Sequence, residues 1–271
     1  IQTFLMKGDA EGNPERAKSR LLFDGKSMGD DTLCGNGTYT FTPRQSTNRY
    51  MLGNAAQTGC KLFSCDLPNA FSQSLNPNVK YMHYPRGSNN THPTTGETLV
   101  YEVGNLYGRR DSGWVFQQAL VEWMKEIGFI QNTMDHALFR KEATETTKRI
   151  DICIWIDDMI LSTTDQETAD WFKAKVEAKW ASNGKSIKFE VTSFFLGANI
   201  QQNAHSIKLS QKAYIDTWVN EMKADGTINA PLPKPTTPLP TGYVVDKRTC
   251  PGNPQVRSKF RTLVAKVGWV A

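Results

Sequence analysis

Residues 151–162 read DICIWIDDMILS. Two adjacent carboxylates, Asp157 and Asp158, stand between two apolar runs, a pattern that predicts two strands joined at a turn that carries both charges. An unpaired charge in apolar surroundings is costly, so the pair requires a bound cation, a raised pKa or exposure to water. On this stretch alone two interpretations stay open: a metal-binding site, and an ordinary hairpin with a solvated turn.

A further carboxylate lies earlier in the chain, within residues 61–71, which read KLFSCDLPNAF. Two-metal phosphoryl transfer needs carboxylates from separate strands, so that the ions can lie about 3.5–4 Å apart. Asp66, at the end of one apolar strand, together with the Asp157–Asp158 pair on a neighbouring hairpin would supply that set. The other interpretation makes Asp66 the N-cap of a helix that begins at Leu67 and Pro68. Both roles can hold at once.

The composition is that of a globular protein with a basic C-terminal part. The 271 residues have a net charge of +5, and the stretch from Ser206 onward has a net charge of +6. Such a stretch fits a surface that binds phosphates, although an ordinary solvated surface fits nearly as well. Five cysteines without close spacing predict reduced thiols. No apolar run reaches the ~20 residues of a membrane span, and no secretory leader opens the chain, so we expect a protein that is not secreted. Because the first residue is Ile1 instead of Met, we also expect an excised piece of a longer polyprotein.

Local patterns predict alternating strands and helices. A strand pair over residues 1–27 puts Lys18 and Arg20 on one face of a strand, and further strands are predicted over 187–209. A polar loop is predicted over 86–97, and a stiff, proline-rich linker over 230–241. Helices are predicted over 48–56, from Ser112 to Gly128, from Asp165 to Trp180 with Thr164 and Glu167 as a capping box, from Ser210 to Met222 and from Gln255 onward.

Further motifs follow one another in an order typical of one family. They are Lys18-Ser19-Arg20, Thr40-Phe41-Thr42-Pro43, Asp66 with Ala70-Phe71, Leu106-Tyr107-Gly108, Gly128-Phe129, Asp135 with Leu138-Phe139, Trp155-Ile156-Asp157-Asp158, Phe195-Leu196-Gly197, Leu209-Ser210-Gln211 with Tyr214-Ile215, and Arg261 with Leu263-Val264. With these motifs the chain resembles the reverse transcriptases of copia-type long-terminal-repeat retrotransposons over nearly its whole length. Each motif alone is a weak signal, but the set in this order is a strong one.

The resemblance implies an α+β fold, a right-hand polymerase with a ferredoxin-like palm, fingers and a partial thumb. It places fingers at 1–50, the palm at 51–205 with a second fingers segment at about 76–112, and a basic, Pro-linked thumb or connection at 206–271. The implied function is that of an RNA-directed DNA polymerase, which extends a primer 3′-hydroxyl with dNTPs. The implied partners are an RNA template, a DNA or RNA primer and dNTPs, with no membrane, in cytoplasmic virus-like particles and at a nuclear stage.

The resemblance also assigns roles to single residues. Asp66, Asp157 and Asp158 are implied to hold two Mg²⁺ or Mn²⁺ ions, which prefer oxygen ligands. Lys18 and Arg20 are implied to neutralise the β- and γ-phosphates of the nucleotide, although a solvated face is the commoner fate of such a pair. Phe71 is implied to lie under the incoming sugar and to clash with a 2′-hydroxyl, and a plain core position is an equal alternative. The residues implied to contact the primer and template are Trp155, Phe195, Leu196 and Gly197.

Three positions depart from the family's pattern. Trp155 stands where the family has Tyr, and Trp114 lies near an expected Arg. Asp111 lies where the family has a Gln close to the incoming nucleotide, and we expect its carboxylate to repel the triphosphate unless Arg109 or Arg110 neutralises it. Two other classes therefore stay open. One is a catalytically impaired retroelement remnant that only binds nucleic acid, and the other is a palm-fold nucleotidyl cyclase that needs no template.

Overall fold

A computed structural model describes residues 2–8, 14–27, 37–78, 81–83, 91, 94–97, 99–101, 105–181, 187–203, 206–226 and 254–270. The chain mixes helices and strands. The helices are α1 Gln45–Thr58, α2 Ser112–Glu126, α3 Gln166–Trp180, α4 Lys212–Ala224 and α5 Pro254–Val270. The strands are β1 Gln2–Gly8, β2 Pro14–Leu21, β3 Lys61–Asp66, β4 Tyr81–His83, β5 Leu99–Tyr101, β6 Ile130–Gln131, β7 Leu138–Lys141, β8 Ile150–Trp155, β9 Asp158–Thr163, β10 Lys188–Val191, β11 Phe194–Phe195, β12 Ala198–Gln202 and β13 Ile207–Ser210.

The main sheet is antiparallel and has the strand order β10-β3-β9-β8-β7-β6. Helix α2 lies in the chain between β3 and β8, which β9 separates in the sheet. Helix α3 lies between β9 and β10, which β3 separates. Helix α3 directly joins two strands that have another strand between them. Helix α2 lies in the corresponding connection from β3 to β8, which also contains β4 to β7. This is the split βαβ arrangement of ferredoxin-like sheets.

Side chains alternate along each strand, so each strand contributes residues to both faces of the sheet. Different helices cover the two faces. Phe63 of β3 and Leu161 of β9 belong to the main core, together with residues of α2 and α3 such as Phe116 and Phe172. The alternate residues face the other way. There the thiol of Cys153 on β8 donates to the amide oxygen of Asn48 on α1 at 3.4 Å, so α1 lies on this second face.

The predicted helices are present, but two of the predicted N-terminal contacts are wrong. Helix α3 is capped by Asp165, whose carboxylate accepts from the Thr168 amide at 2.7 Å, so the Thr164 capping box does not form. Asp165 lies one residue nearer the helix and takes the N-cap position, which leaves Thr164 outside the helix. Asp66 is not an N-cap either, because it is the last residue of β3 and the short 3₁₀ helix Ala70–Gln73 that follows has Asn69 at its N-cap.

The chain forms two compact units, residues 1–193 with 202–207 and residues 194–201 with 208–271. The boundaries of fingers, palm and thumb, including the one at 205, stay predictions. The predicted strand pair is confirmed as the β1–β2 hairpin. The proline-rich stretch 230–241 and most of 86–97 lie outside the described residues. No helix in the described part of the chain is long and apolar enough to cross a membrane.

The second unit contains a short hairpin and a helix pair. Strands β11 and β12 pair through Phe195 and Ala198. Helix α4 begins at Lys212, and its first amide donates to the Ser210 hydroxyl at 3.3 Å, one residue later than the sequence predicts for the start of the helix. Helix α5 runs alongside α4 with an ion pair between Lys266 and Glu221 at 2.7 Å.

Candidate active site

Four side chains form a row across one end of the main sheet. Trp155 of β8 pairs with Asp158 of β9, Asp158 pairs with Asp66 of β3, and Asp66 pairs with Lys188 of β10. Directly paired residues of antiparallel strands project to the same face, with Cβ atoms about 4.5–5.5 Å apart. The register therefore brings two of the predicted carboxylates side by side, between an aromatic ring and a lysine.

Asp157 lies beside this row in the turn that joins β8 to β9. Since Trp155 and Asp158 are paired, Ile156 and Asp157 alone form the turn. Ile156 has a φ of 60°, which is rare for a β-branched residue and indicates backbone strain of the kind found at functional sites. The Asp157 carbonyl accepts from the Leu67 amide at 3.1 Å. This bond ties the turn to the end of the Asp66 strand.

Two of the three carboxylates, Asp157 and Asp158, have raised pKa values. The pKa of Asp158 is raised to about 6, first by burial and then by the charges of Asp157 and Asp66, whereas Lys188 lowers it. The pKa of Asp157 is also raised by burial and by Asp66. Both shifts mean that the ionised forms are disfavoured here, which is the condition that a bound cation relieves.

The donor set is chemically suited to a hard divalent cation, because it consists of carboxylate oxygens. In the described ranges, no three acidic, histidine or cysteine side chains already converge tightly enough to form a metal cluster. Asp66 and Asp158 are exposed and Asp157 is partly buried. Binding an ion would therefore require rotamer changes, which are common when a protein binds a partner.

Two basic side chains that the sequence assigns to the site, Lys18 and Arg20, lie on one face of the β1–β2 hairpin. Arg20 pairs with Thr3 and Lys18 with Leu5, so both cations project to one face, whereas Phe4 and Met6 project to the other. Arg20 and Lys18 each lower the pKa of Asp157. The structure therefore brings the two cations within electrostatic reach of the turn that carries the carboxylates.

Aromatic rings line the site next to Asp66. Phe71 is half-buried in the 3₁₀ helix that follows β3. Its ring lies 5.0 Å from that of Tyr107 and 5.9 Å from that of Phe116, measured between ring centroids. The Arg20 guanidinium lies over the Tyr107 ring at 5.7 Å. Phe71 thus packs against the core and reaches the surface at the carboxylate end of the sheet.

Residues 3–247 match the profile of the family described as Reverse transcriptase (RNA-dependent DNA polymerase). The chain belongs to this reverse transcriptase family. The resemblance to the copia-type retrotransposon enzymes, inferred from the order of the motifs, is thereby confirmed. Within such a family the strand–Asp-Asp–strand hairpin beside Asp66 becomes the first candidate for the catalytic centre.

Two known proteins are similar to parts of the chain. A transposon Ty5-1 protein of Saccharomyces cerevisiae is 25% identical over 160 residues, which are 58% of this chain and 48% of the yeast protein. A solved structure of telomerase from Candida albicans, in complex with the TWJ fragment of telomeric RNA, is also similar. The match covers 63% of this chain and 36% of the telomerase chain, with 11% sequence identity and a TM-score of 0.29. The chain spans about half the length of the transposon protein, and less of the telomerase.

Asp111, which departs from the family's pattern, is fully buried in an ion pair. Its carboxylate accepts from Nε and Nη2 of Arg109, both at 2.9 Å, and both side chains have an exposed fraction of 0%. The Asn76 amide donates to the same carboxylate at 3.3 Å. Arg109 therefore neutralises the charge of Asp111. Contact between Asp111 and a nucleotide stays a prediction, and in this structure the carboxylate is not accessible to one.

The Phe-Leu-Gly motif belongs to the second unit. Leu196 and Gly197 have φ values of 46° and 79° and form the turn between β11 and β12, as in the two-residue turns that suit the twist of a hairpin. Phe195 is the last residue before this turn and is partly buried. The role of Phe195, Leu196 and Gly197 in holding a primer stays a prediction.

Sequence reasoning missed two residues of the site. Tyr107 was visible only as part of the Leu-Tyr-Gly motif, without a role, yet its pKa is raised by burial and by Asp157. Lys188 was not singled out, yet it pairs with Asp66 and is the basic member of the row. The alternation of residues 187–191 indicates a strand, but only the pairing of β10 with β3 shows which side chain lies beside Asp66.

Proposed function

We propose that this chain is an RNA-directed DNA polymerase that extends a primer 3′-hydroxyl with dNTPs on an RNA template. One observation carries the proposal: Asp66 and Asp158 are directly paired on neighbouring strands, with Asp157 in the adjoining turn. Membership of the reverse transcriptase family supports it. In this proposal the split βαβ sheet is the palm, the β1–β2 hairpin belongs to the fingers, and the second unit supplies the thumb.

The three carboxylates would hold two Mg²⁺ or Mn²⁺ ions. When bound, such ions lower the pKa of the primer hydroxyl and neutralise the leaving pyrophosphate. The raised pKa values of Asp157 and Asp158 support this assignment, because burial and the neighbouring carboxylates disfavour their ionised forms, which a bound cation would stabilise. The rest of the catalysis would come from alignment and from charge neutralisation by the protein.

Lys18 and Arg20 would neutralise the β- and γ-phosphates of the incoming nucleotide. Their common face on β2 and their effect on Asp157 support this role. Phe71 would lie against the sugar, where its ring leaves no room for a 2′-hydroxyl. Its position between the core and the carboxylate end of the sheet supports that role. Trp155 would pack beneath the ions, in the row that it shares with Asp158.

Primer extension tests the proposal. The full chain should extend a DNA primer on an RNA template with Mg²⁺ and dNTPs. Asp157→Asn should abolish extension and leave the binding of primer-template nearly intact. The matched control is Asp170→Asn, which makes the same chemical change at an exposed position of α3 and should extend at the parent rate.

Three outcomes would overturn the proposal in different ways. Extension by Asp157→Asn at the parent rate would show that the carboxylate assignment is wrong. Tight binding of primer-template without any extension by the parent chain would identify a nucleic-acid-binding remnant. Release of pyrophosphate from a free nucleoside triphosphate, without template or primer, would identify a cyclase.

A further inference from the structure

The Phe71 ring contacts two other rings that differ in burial. Phe116 is fully buried on α2 and packs against Trp180 at 5.6 Å, so it belongs to the immobile core. Tyr107 is half-buried at the edge of the site, and its ring plane is tilted by 34° from that of Phe71. Tyr107 is therefore the part of this support that a substitution can remove without opening the core.

The backbone at Tyr107 is fixed by a close crossing with the segment that follows β2. The Tyr107 carbonyl accepts from the Phe23 amide at 2.7 Å. Gly108 has a φ of 94°, and a Cβ at this position would come within 2.2 Å of the Phe23 carbonyl oxygen. A Cβ on Gly25 would come equally close to the Gly108 carbonyl oxygen, at 2.2 Å. The crossing thus needs both glycines, and it fixes the backbone from which the Tyr107 ring projects.

The same ring contacts the cation assigned to the triphosphate. The Arg20 guanidinium lies 5.7 Å from the centre of the Tyr107 ring, in the range of a cation–π contact. Burial and the nearby charge of Asp157 raise the pKa of the Tyr107 phenol above its ordinary value, so the group is neutral at working pH. Tyr107 thus touches both the proposed sugar gate and the proposed phosphate ligand.

We propose that Tyr107 is a specificity-determining positioning residue, which braces Phe71 against the incoming sugar so that ribonucleotides are rejected. This inference rests on the proposed function. A ring excludes a 2′-hydroxyl only if it cannot move away from it, and the core side of Phe71 is already closed by Phe116. The Tyr107 ring, with its centre 5.0 Å from that of Phe71, supplies a second contact outside the buried core. The ring is what matters in this role, and the hydroxyl is dispensable.

Nucleotide binding without chemistry tests this role. The full chain is bound to a dideoxy-terminated primer on an RNA template with Mg²⁺, and the Kd values of the complementary dNTP and rNTP are measured by fluorescence titration. Tyr107→Leu keeps an apolar side chain but removes the planar ring, and it should lower the ratio of the rNTP Kd to the dNTP Kd by about tenfold or more, the scale of one pocket contact. Tyr107→Phe should keep the parent ratio. Tyr39→Leu, at a position that is 74% exposed, is the control and should keep it too.

The outcomes separate this inference from the proposed function. An unchanged ratio in Tyr107→Leu, an equal loss of affinity for both nucleotides, or an equal fall of the ratio in Tyr107→Phe would each overturn the inference. A parent chain without any preference for dNTP would overturn it as well. A parent chain that prefers dNTP but extends no primer would refute the polymerase activity, and the ratios of the variants would still decide the role of Tyr107.

Discussion

The buried ion pair of Arg109 and Asp111 makes a quantitative prediction about stability. Asp111→Asn keeps the shape of the side chain but removes the carboxylate charge that faces the buried Arg109 guanidinium. Both side chains have an exposed fraction of 0%, and the pair is joined by two bonds of 2.9 Å. Breaking such a pair costs about 3–5 kcal/mol, a large part of the roughly 5–15 kcal/mol by which a domain is stable. The double variant Arg109→Met, Asp111→Asn should recover most of that loss, because no buried charge remains.

Urea denaturation of the four chains in this cycle measures the effect, and Asp170→Asn is the control for the exchange of Asp for Asn. We expect the control to stay within about 0.5 kcal/mol of the parent. A loss below about 1 kcal/mol in Asp111→Asn, or losses that simply add in the double variant, would refute the reasoning. The same reasoning applies to Asp111→Gln, which restores the family's residue. It should destabilise the fold and should not improve the binding of dNTPs.

Three further predictions concern activity and binding. At limiting Mg²⁺, primer extension should weaken as the pH falls towards about 6, because protons then compete with the metal ions for Asp158. Lys188→Gln should move this loss to higher pH, since Lys188 lowers the pKa of Asp158, and a profile that does not move would contradict the prediction. Phe71→Val should raise the incorporation of ribonucleotides relative to deoxynucleotides by a factor worth ~1–3 kcal/mol, and an unchanged ratio would make the ring purely structural. Affinity for primer-template should fall linearly with the logarithm of salt concentration, as counterion release requires; a fragment that ends before Ser206 should bind much more weakly, and equal binding would place the phosphate contacts elsewhere.

The features that sequence reasoning found are those set by near neighbours in the chain. Asp157 and Asp158 lie between two strands that pair with each other, so a local pattern predicts both the hairpin and the position of the charges. The helices α2 and α3 follow from the spacing of their apolar residues. Errors of one residue occur where two neighbours can serve the same purpose, as at the start of α3, where Thr164 and Asp165 are both good caps.

The features that sequence reasoning missed depend on burial or on the pairing of strands that are far apart in the chain. Lys188 lies beside Asp66 only because β10 pairs with β3, and no local pattern reports that register. The distance of Tyr107 from Phe71 and Arg20 depends on how three separate segments cross. The sequence offers both Arg109 and Arg110 as partners of Asp111, but it does not show that Arg109 is the one buried with it.

The row of paired residues depends on the number of residues in each strand. A shift by an odd number of residues moves a side chain to the other face of the sheet, and a shift by an even number keeps it on the same face. Deleting one residue of β3 ahead of Asp66 would turn its carboxylate to the face covered by α2 and α3, whereas deleting two would return it to its own face. Substitutions within the strands do not change the number of residues and so leave the four side chains on the same face. The composition of these strands can therefore change widely while the same four side chains stay together, but a single-residue insertion or deletion in any one strand would remove its member from the row.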